Sequence, residues 1–436
     1  MKALGSSASA RDKGAGGERM AEALFADLKV IDCASFIAAP AAATIFADFG
    51  ADVIKIEPPS GDPYRKLPQI KGQPQCENNY AWLLTDRTRR SLALDLTRPE
   101  GQAVLARLVK SADIFITNMP LRVRSRLGIA YDQIGPLNER LIYASFTGYG
   151  ETGEEASKPG FDSNAYWARS GLMNEVKPHA ESPPARSVSG MGDHPAALAL
   201  YGAILTALYR REKTGKGGHV ATSLLANGLW SHGLQIQAKF CGATFTPRVP
   251  REQSPNALTN LYRCKDGRWL TLSLLEEERQ WPLLLRAIEE VSLEHDPRFA
   301  TKAARHEHAR ELVVIFDHIF LARDFGEWRR RLDAAGLVFG FVATLDDVVA
   351  DNQARENDFI LPIAETPFET VDSPIYIEGE EKRRPLRAPE IGEGGDAVLR
   401  EAGFADAEIA DMRAAGLISR LSSPIDIATT EGDERR

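Results

Sequence analysis

The chain has 436 residues, 43% of them hydrophobic and 26% charged, with a formal net charge of −8; this is the make-up of a globular protein long enough for two domains. The acidic balance argues against general nucleic-acid binding, and no apolar run approaches the roughly 20 residues that a membrane-spanning helix needs. Cys33, Cys76, Cys241 and Cys264 are scattered, with no C-x-x-C pair, which points away from a zinc site or a disulfide framework and towards a reducing cytoplasm.

Residues 1–25 open with MKALGSSASARDKGAGGER, have no apolar h-region, and read as a disordered lead-in. From Leu28 short β-like runs alternate with amphipathic helices. LKVID (28–32), helical text from Pro40 to Phe49, and DVIKIE (52–57) form a β-α-β unit, which requires a parallel pair and a right-handed crossover. SLALDL (91–96), PEGQAVLARLVKSA (99–112) and DIFITN (113–118) repeat the pattern, and LIYASFTGYG (141–150) adds a strand. Residues 26–235 therefore read as a doubly wound, Rossmann-like α/β domain.

Glu57 ends the second strand, where a dinucleotide fold places its ribose-binding acid. The first loop reads CASFIAAPAAAT and has no glycine, so the G-x-G-x-x-G that lets a pyrophosphate approach is missing and NAD is not expected. Ligands are expected at the carboxyl ends of the strands, around 35–39, 58–65, Asn118 and 147–150. Arg89 and Arg90 form a basic pair that suits a phosphate or a solvated face equally.

Asp193 sits between a small-residue turn, Gly190-Met191-Gly192, and a helix that starts at about Pro195, stays apolar through Tyr209 and is expected to be buried. Asp193 or His194 takes the cap position with Pro195 in the first turn, and Arg210, Arg211, Lys213 and Gly215 write the end. At the positive end of the helix dipole the Asp193 carboxylate is expected to be held ionised, with Gly190 and Gly192 leaving room for a substrate group. Such an acid is either a helix cap or a nucleophile.

Beyond about Lys239 the character changes. LYRC-KDG-RWLTLS (261–273) reads as a hairpin, and ERQWPLLLRAIEEV, HARELVVIFDHIFLA and FGEWRRRLDAAG read as helices, giving a smaller α+β domain over 245–345. Residues 346–421 return to the large domain, and 422–436 read as a disordered tail. His306 and His308 lie on different faces of a helix and are not expected to hold a metal. Glu276, Glu277 and Glu278 suit a first helical turn.

The blocks DFGADVIKIEPPSGDPYR, RSLALDL, RLIYASFTGYGETG, KPGFDSNAYWARSGLM, the MGDH turn and REKTGKGGHVATSLL together resemble the class III CoA-transferases, which include formyl-CoA and carnitine CoA-transferases and are related to α-methylacyl-CoA racemase. The resemblance covers nearly all of 28–420. It implies a large domain split in sequence around a small one, two subunits interlocked like chain links in a homodimer, an acyl-CoA donor and a carboxylic acid acceptor, and no metal. It implies Asp193 as the catalytic residue, which attacks the thioester of acyl-CoA to give a mixed anhydride and then an aspartyl-CoA thioester, with nearby backbone N–H groups for the oxyanions. It places the coenzyme A contacts on Ala38, Leu94, Asn118, Met119, Arg126 and Lys158 to Phe161. Phe161 stands where the related racemases carry a His, so a two-base proton shuttle lacks its second base; a racemase or a non-catalytic CoA-binding protein are the alternatives. Ile37 replaces a Gln of the formyl-CoA transferase pattern, and AYWARSG with the hairpin is closer to phenyllactate-type members. Tyr166, Trp167 and Phe161 are candidates for an apolar acyl pocket or for core packing.

Overall fold

The computed structural model describes residues 23–420. The expected tail at 422–436 and residues 1–22 of the expected lead-in lie outside the described residues; Phe25 lies within them and packs its ring on Phe46 and Phe49, with centroids 5.4 and 5.9 Å apart.

The first β-α-β unit is β1 (Lys29–Asp32), α1 (Ala38–Asp48) and β2 (Asp52–Glu57). It is followed by β3 (Arg90–Leu94), α2 (Pro99–Val109), β4 (Ile114–Thr117) and β5 (Ile142–Thr147). The long helix α3 (Asp193–Thr214) leads into β6 (Gly218–Ser223), then α4 (Leu224–Ser231) and α5 (Gly233–Phe240). The hairpin is β7 (Leu261–Arg263) and β8 (Trp269–Leu272), and β9 (Phe339–Phe341) extends its sheet. Between β8 and β9 run α6 (Glu277–Ala287), α7 (Ala309–Phe320) and α8 (Phe325–Ala334). β10 (Ile360–Pro362) pairs with β11 (Glu369–Val371), and the described chain ends with α9 (Gly395–Glu401), α10 (Asp406–Ala414) and β12 (Ile418–Ser419).

The main sheet has the order β12-β3-β2-β1-β4-β5-β6. All its pairs are parallel except β12 on β3. Strands such as β4 (IFIT) are buried along their whole length because helices cover both faces, as a parallel sheet demands. The order reverses between β1 and β4, so the chain leaves these neighbours in opposite directions and a crevice opens at their carboxyl ends.

One core joins the sheet to α1 and α3. The alanines of α1 (AAPAAATIFAD) let the helices approach closely, and the Phe46 and Tyr201 rings meet at 4.7 Å. Another core lies among β7, β8 and α6 to α8, where Trp328 donates its indole N–H to the Phe320 carbonyl oxygen at 2.8 Å.

Several expectations are corrected by the packing. α3 is not buried all round: Ala196, Leu200, Tyr201 and Ile204 face the core, whereas Gly202, Thr206 and Tyr209 are exposed. Arg89 and Arg90 are not a free basic pair: Arg89 is buried against Asp32 and Asp86, and Arg90 binds Asp52 and Glu401. Tyr166 and Trp167 belong to the core beside α3. Glu277 is more than a helix-turn acid, being buried against His306 and Asn256.

Candidate active site

The crevice is built at the exits of β1 and β4. Asn118, just past β4, accepts the Ser35 N–H at 2.9 Å and donates its amide to the Ser35 carbonyl oxygen at 2.6 Å, stitching the two exits together. This holds Phe36 at φ +62°, a left-handed conformation that a bulky residue rarely adopts and that clusters at functional sites. Phe36 then packs edge-on against Phe161, with centroids 5.5 Å apart, and tilts onto Tyr64 at 6.0 Å.

Below this loop lies a buried charge cluster. Lys55 donates to the Ala34 carbonyl oxygen at 2.7 Å and sits 3.0 Å from Asp62, 3.5 Å from Asp32 and 3.7 Å from Asp86. Arg89 binds Asp32 at 2.5 Å and Asp86 at 3.0 Å, and donates to the carbonyl oxygens of Pro40 and Thr85. Asp62 accepts from the Ser35 hydroxyl at 2.7 Å and the Tyr64 N–H at 2.8 Å. Glu57 is engaged by Arg65, the Asp62 N–H and the Ser91 hydroxyl. These fully desolvated charges fix the loop rather than present themselves to a ligand.

Asp193 is the first residue of α3, half-buried, with Gly192 as N-cap and no side-chain cap from that residue. The carboxylate is not held ionised as the helix dipole suggests. Burial, followed by the charge of Asp162, pushes it up to about 7. Asp162 opens the wide helical turn Asp162–Ala168 and accepts the Gly192 N–H at 3.0 Å. The donor at the helix start is therefore taken by a neighbouring acid and is not free for an oxyanion. Gly192 is required on the inner side: a Cβ there would lie 2.5 Å from the Tyr166 ring and 2.9 Å from Asp162 Oδ1. Its role is thus fit against the core, not an approach path for substrate. Gly190 has φ +80°, and a Cβ on it would lie 3.4 Å from Ile37. Ile37 and the turn before α3 are thus neighbours across the crevice. His194 turns its Nδ1 to the Gly190 carbonyl oxygen at 2.9 Å, as a structural His does.

The candidate coenzyme A residues separate into groups. Ala38 starts α1 directly after the Phe36 loop, Asn118 ties that loop to β4, and Phe161 touches Phe36, so these three gather around the Phe36 loop. Met119 is half-buried and its carbonyl oxygen accepts from Arg124 at 2.6 Å. Leu94 is buried at the end of β3 and paired with Ile418, two strands from β1. Arg126 is exposed in the last turn of the helix Leu121–Arg126 and has no ion pair among the described residues, whereas Lys158 is paired with Glu155 at 2.6 Å. Asp162 is the residue that the sequence reading missed; its only signal was its place after Gly160-Phe161.

A cavity of about 1920 Å³ lies at the opposite, amino-terminal edge of the sheet, lined by Asp52, Arg90, Lys382, Arg383 and Arg384 among others. Asp193 is not part of it. Two of its cations are neutralised by neighbouring acids, Arg90 by Asp52 and Glu401 and Lys382 by Asp372.

The family profile described as CoA-transferase family III matches residues 25–394. The chain is 32% identical over 394 residues to the (R)-2-hydroxy-4-methylpentanoate CoA-transferase of Clostridioides difficile, covering 89% of this chain and 98% of that one. It is 30% identical over 397 residues to the cinnamoyl-CoA:phenyllactate CoA-transferase of Clostridium sporogenes, covering 89% and 96%. Among solved structures, a CAIB/BAIF family protein from Brucella suis superposes with a TM-score of 0.77 at 26% identity, covering 86% of this chain and 98% of that one.

Proposed function

The chain belongs to CoA-transferase family III and is a CoA-transferase, and on that premise we propose that Asp193 carries the CoA between two carboxylic acids as a covalent intermediate. The Asp193 carboxylate attacks the thioester carbon of the donor acyl-CoA, giving a mixed anhydride and CoA thiolate. The thiolate attacks the aspartyl carbonyl, releasing the donor acid and leaving an aspartyl-CoA thioester. The acceptor carboxylate displaces CoA through a second anhydride, and the thiolate returns to the new acyl group. The observation that carries this reading is a half-buried carboxylate at the sheet's switch point, with no hydrogen-bond donor and no cation on it among the described residues. Such an acid retains its nucleophilicity because no protein donor quenches it and burial limits its hydration.

Coenzyme A would lie along the exits of β1 and β4, past Ala38, Asn118, Met119 and Phe161, with Arg126 as its phosphate partner; Leu94 and Lys158 are the peripheral members of the set. Ile37, Phe36, Tyr64 and Phe161 give the crevice an apolar, aromatic wall. That wall favours branched or aryl 2-hydroxy acids, the class in the names of two relatives, over formyl or oxalyl groups. The test is intact-protein mass spectrometry after mixing with a panel of acyl-CoAs, with hydroxylamine trapping and peptide mapping. A hydroxamate at Asp193 with arylalkenoyl or branched acyl-CoA is the expected result; no adduct with any donor would refute the reading.

The working unit is proposed to be an interlocked homodimer, with the large domain split in sequence around the small one. Its support is the apolar surface left on α4 and α5: Trp230, Leu234 and Phe240 are 87%, 80% and 79% exposed, a patch that a single soluble chain rarely leaves open. A Trp230→Glu variant is expected to elute as a monomer in size-exclusion chromatography with light scattering, while the unaltered chain elutes as a dimer. A monomeric unaltered chain with full activity would overturn the assignment.

A further inference from the structure

The 22-residue helix α3 begins with no side-chain cap from its own N-cap residue, Gly192, although the first N–H groups of a helix need acceptors. The acceptor comes from 30 residues earlier in the chain: Asp162 Oδ2 takes the Gly192 N–H at 3.0 Å. Burial raises the Asp162 carboxyl above its ordinary range, and the N–H groups of Gly192, Asp193 and Gly190 oppose that rise, so this carboxylate faces the whole turn. Its other oxygen, Oδ1, is buried with no partner, and Tyr166 behind it closes the space around Gly192. We propose that Asp162 is a positioning residue of the reaction: it caps α3 in place of Asp193, and so holds the nucleophile without hydrogen-bond donors and against a second acid.

This inference rests on the reading of Asp193 as nucleophile and adds a reason for its reactivity. Two acids side by side, with only His194 as a cation near Asp162 and none near Asp193, repel one another while both are ionised. When Asp193 becomes an anhydride or a thioester its charge disappears, the repulsion ends, and Asp162 keeps its hydrogen bond. Asp162 therefore destabilises the free carboxylate relative to every covalent intermediate. The titratable groups that face Asp193 are Asp162 from the turn Asp162–Ala168, Tyr64 from the turn Pro63–Gln69, and His194, which follows it in α3.

A test that needs no CoA ester is the pH dependence of esterification by a diazoacetamide, which alkylates only the protonated carboxyl, read by peptide mass spectrometry. In the unaltered chain labelling of Asp193 is expected to persist to a midpoint near pH 7. In Asp162→Asn, which keeps an oxygen for the Gly192 N–H but loses the charge, the midpoint is expected to fall by about one pH unit or more. In Asp193→Asn, labelling of Asp162 is expected to shift down in the same way, because the coupling of two interacting acids is mutual. Unmoved midpoints in folded variants would make Asp162 a structural cap only and overturn the proposal. If Asp162→Asn does not fold, the Asp193→Asn arm decides. A chain that shows both shifts yet forms no adduct with any acyl-CoA would keep this pairing and lose the transferase mechanism, so the two failures are separable.

Discussion

Replacing Asp193 by Ala is expected to lower kcat for CoA transfer by at least about 10⁴-fold, since removal of a nucleophile leaves only binding and orientation to act. Folding should not suffer. Burial and the charge of Asp162 raise this carboxyl to about 7, so the native state binds more protons at this position than the unfolded chain does. Its contribution to stability therefore falls as the pH rises from the ordinary carboxylate range to about 7, and it is unfavourable above that. Removing the acid lifts that penalty, and the thermal midpoint of Asp193→Ala at pH 8 is expected to equal or exceed that of the unaltered chain. The same titration sets the activity profile: only the ionised acid attacks, so kcat/KM should decline as the pH drops below about 7. A variant that is inactive because it is unfolded, or a profile flat down to pH 5, would contradict this assignment of roles. Rates across pH 5 to 9, with thermal unfolding of both proteins, distinguish these outcomes.

Much of this site was legible in the text, and its failures have a common cause. The alternation of short β runs with helices gave β1 to β5 to within a few residues, because a parallel sheet covered on both faces demands continuous apolar strands joined by crossovers. The position of Asp193 between a glycine turn and a long helix was equally readable. Its electrostatics were not. A local pattern credits the helix dipole to the acid adjacent to the helix, whereas the donor goes to Asp162, which is distant in sequence and brought in by the fold. Arg89 and Arg90 misled for the same reason: their partners Asp32, Asp52 and Glu401 come from other strands and from a helix near the end of the described chain. α3 misled differently. Its apolar residues run round the whole helix, but one face covers the core and the other is left exposed in the single chain, so hydrophobicity reported burial without saying against what. Periodicity identifies the face, and only packing identifies the partner.

The second large effect is expected at Arg89→Met. Arg89 and Lys55 are the two cations set among Asp32, Asp62 and Asp86, all with side chains at most 2% exposed. Asp86 already stands at about 7, raised by burial and lowered in part by Arg89 and then Lys55, and its Oδ2 has no partner. Taking Arg89 away leaves three carboxylates on one lysine and removes the guanidinium hydrogen bonds to the carbonyl oxygens of Pro40 and Thr85, at 3.0 and 2.8 Å, leaving only the Thr44 hydroxyl as a side-chain donor to serve both. Loss of one partner from such a buried cluster costs about 3–5 kcal/mol, and the flexible Met side chain fills the space without restoring a donor. The sign of the pH dependence follows from the acids. Asp86 has a raised pKa in the native state and rises further without Arg89, so its unfavourable contribution is absent when it is protonated and grows as the pH climbs through about 7. Urea unfolding should therefore show the larger deficit at pH 8 and the smaller one at pH 5. Because Asp62 holds the Ser35 hydroxyl and Arg89 holds the start of α1, the loop bearing Phe36 and Ile37 is expected to loosen as well, raising KM for acyl-CoA more than it lowers kcat. A deficit below about 1 kcal/mol, or one that does not change with pH, would mean that the cluster is neutralised by another route. The crevice would then owe its shape to the Asn118 stitch alone.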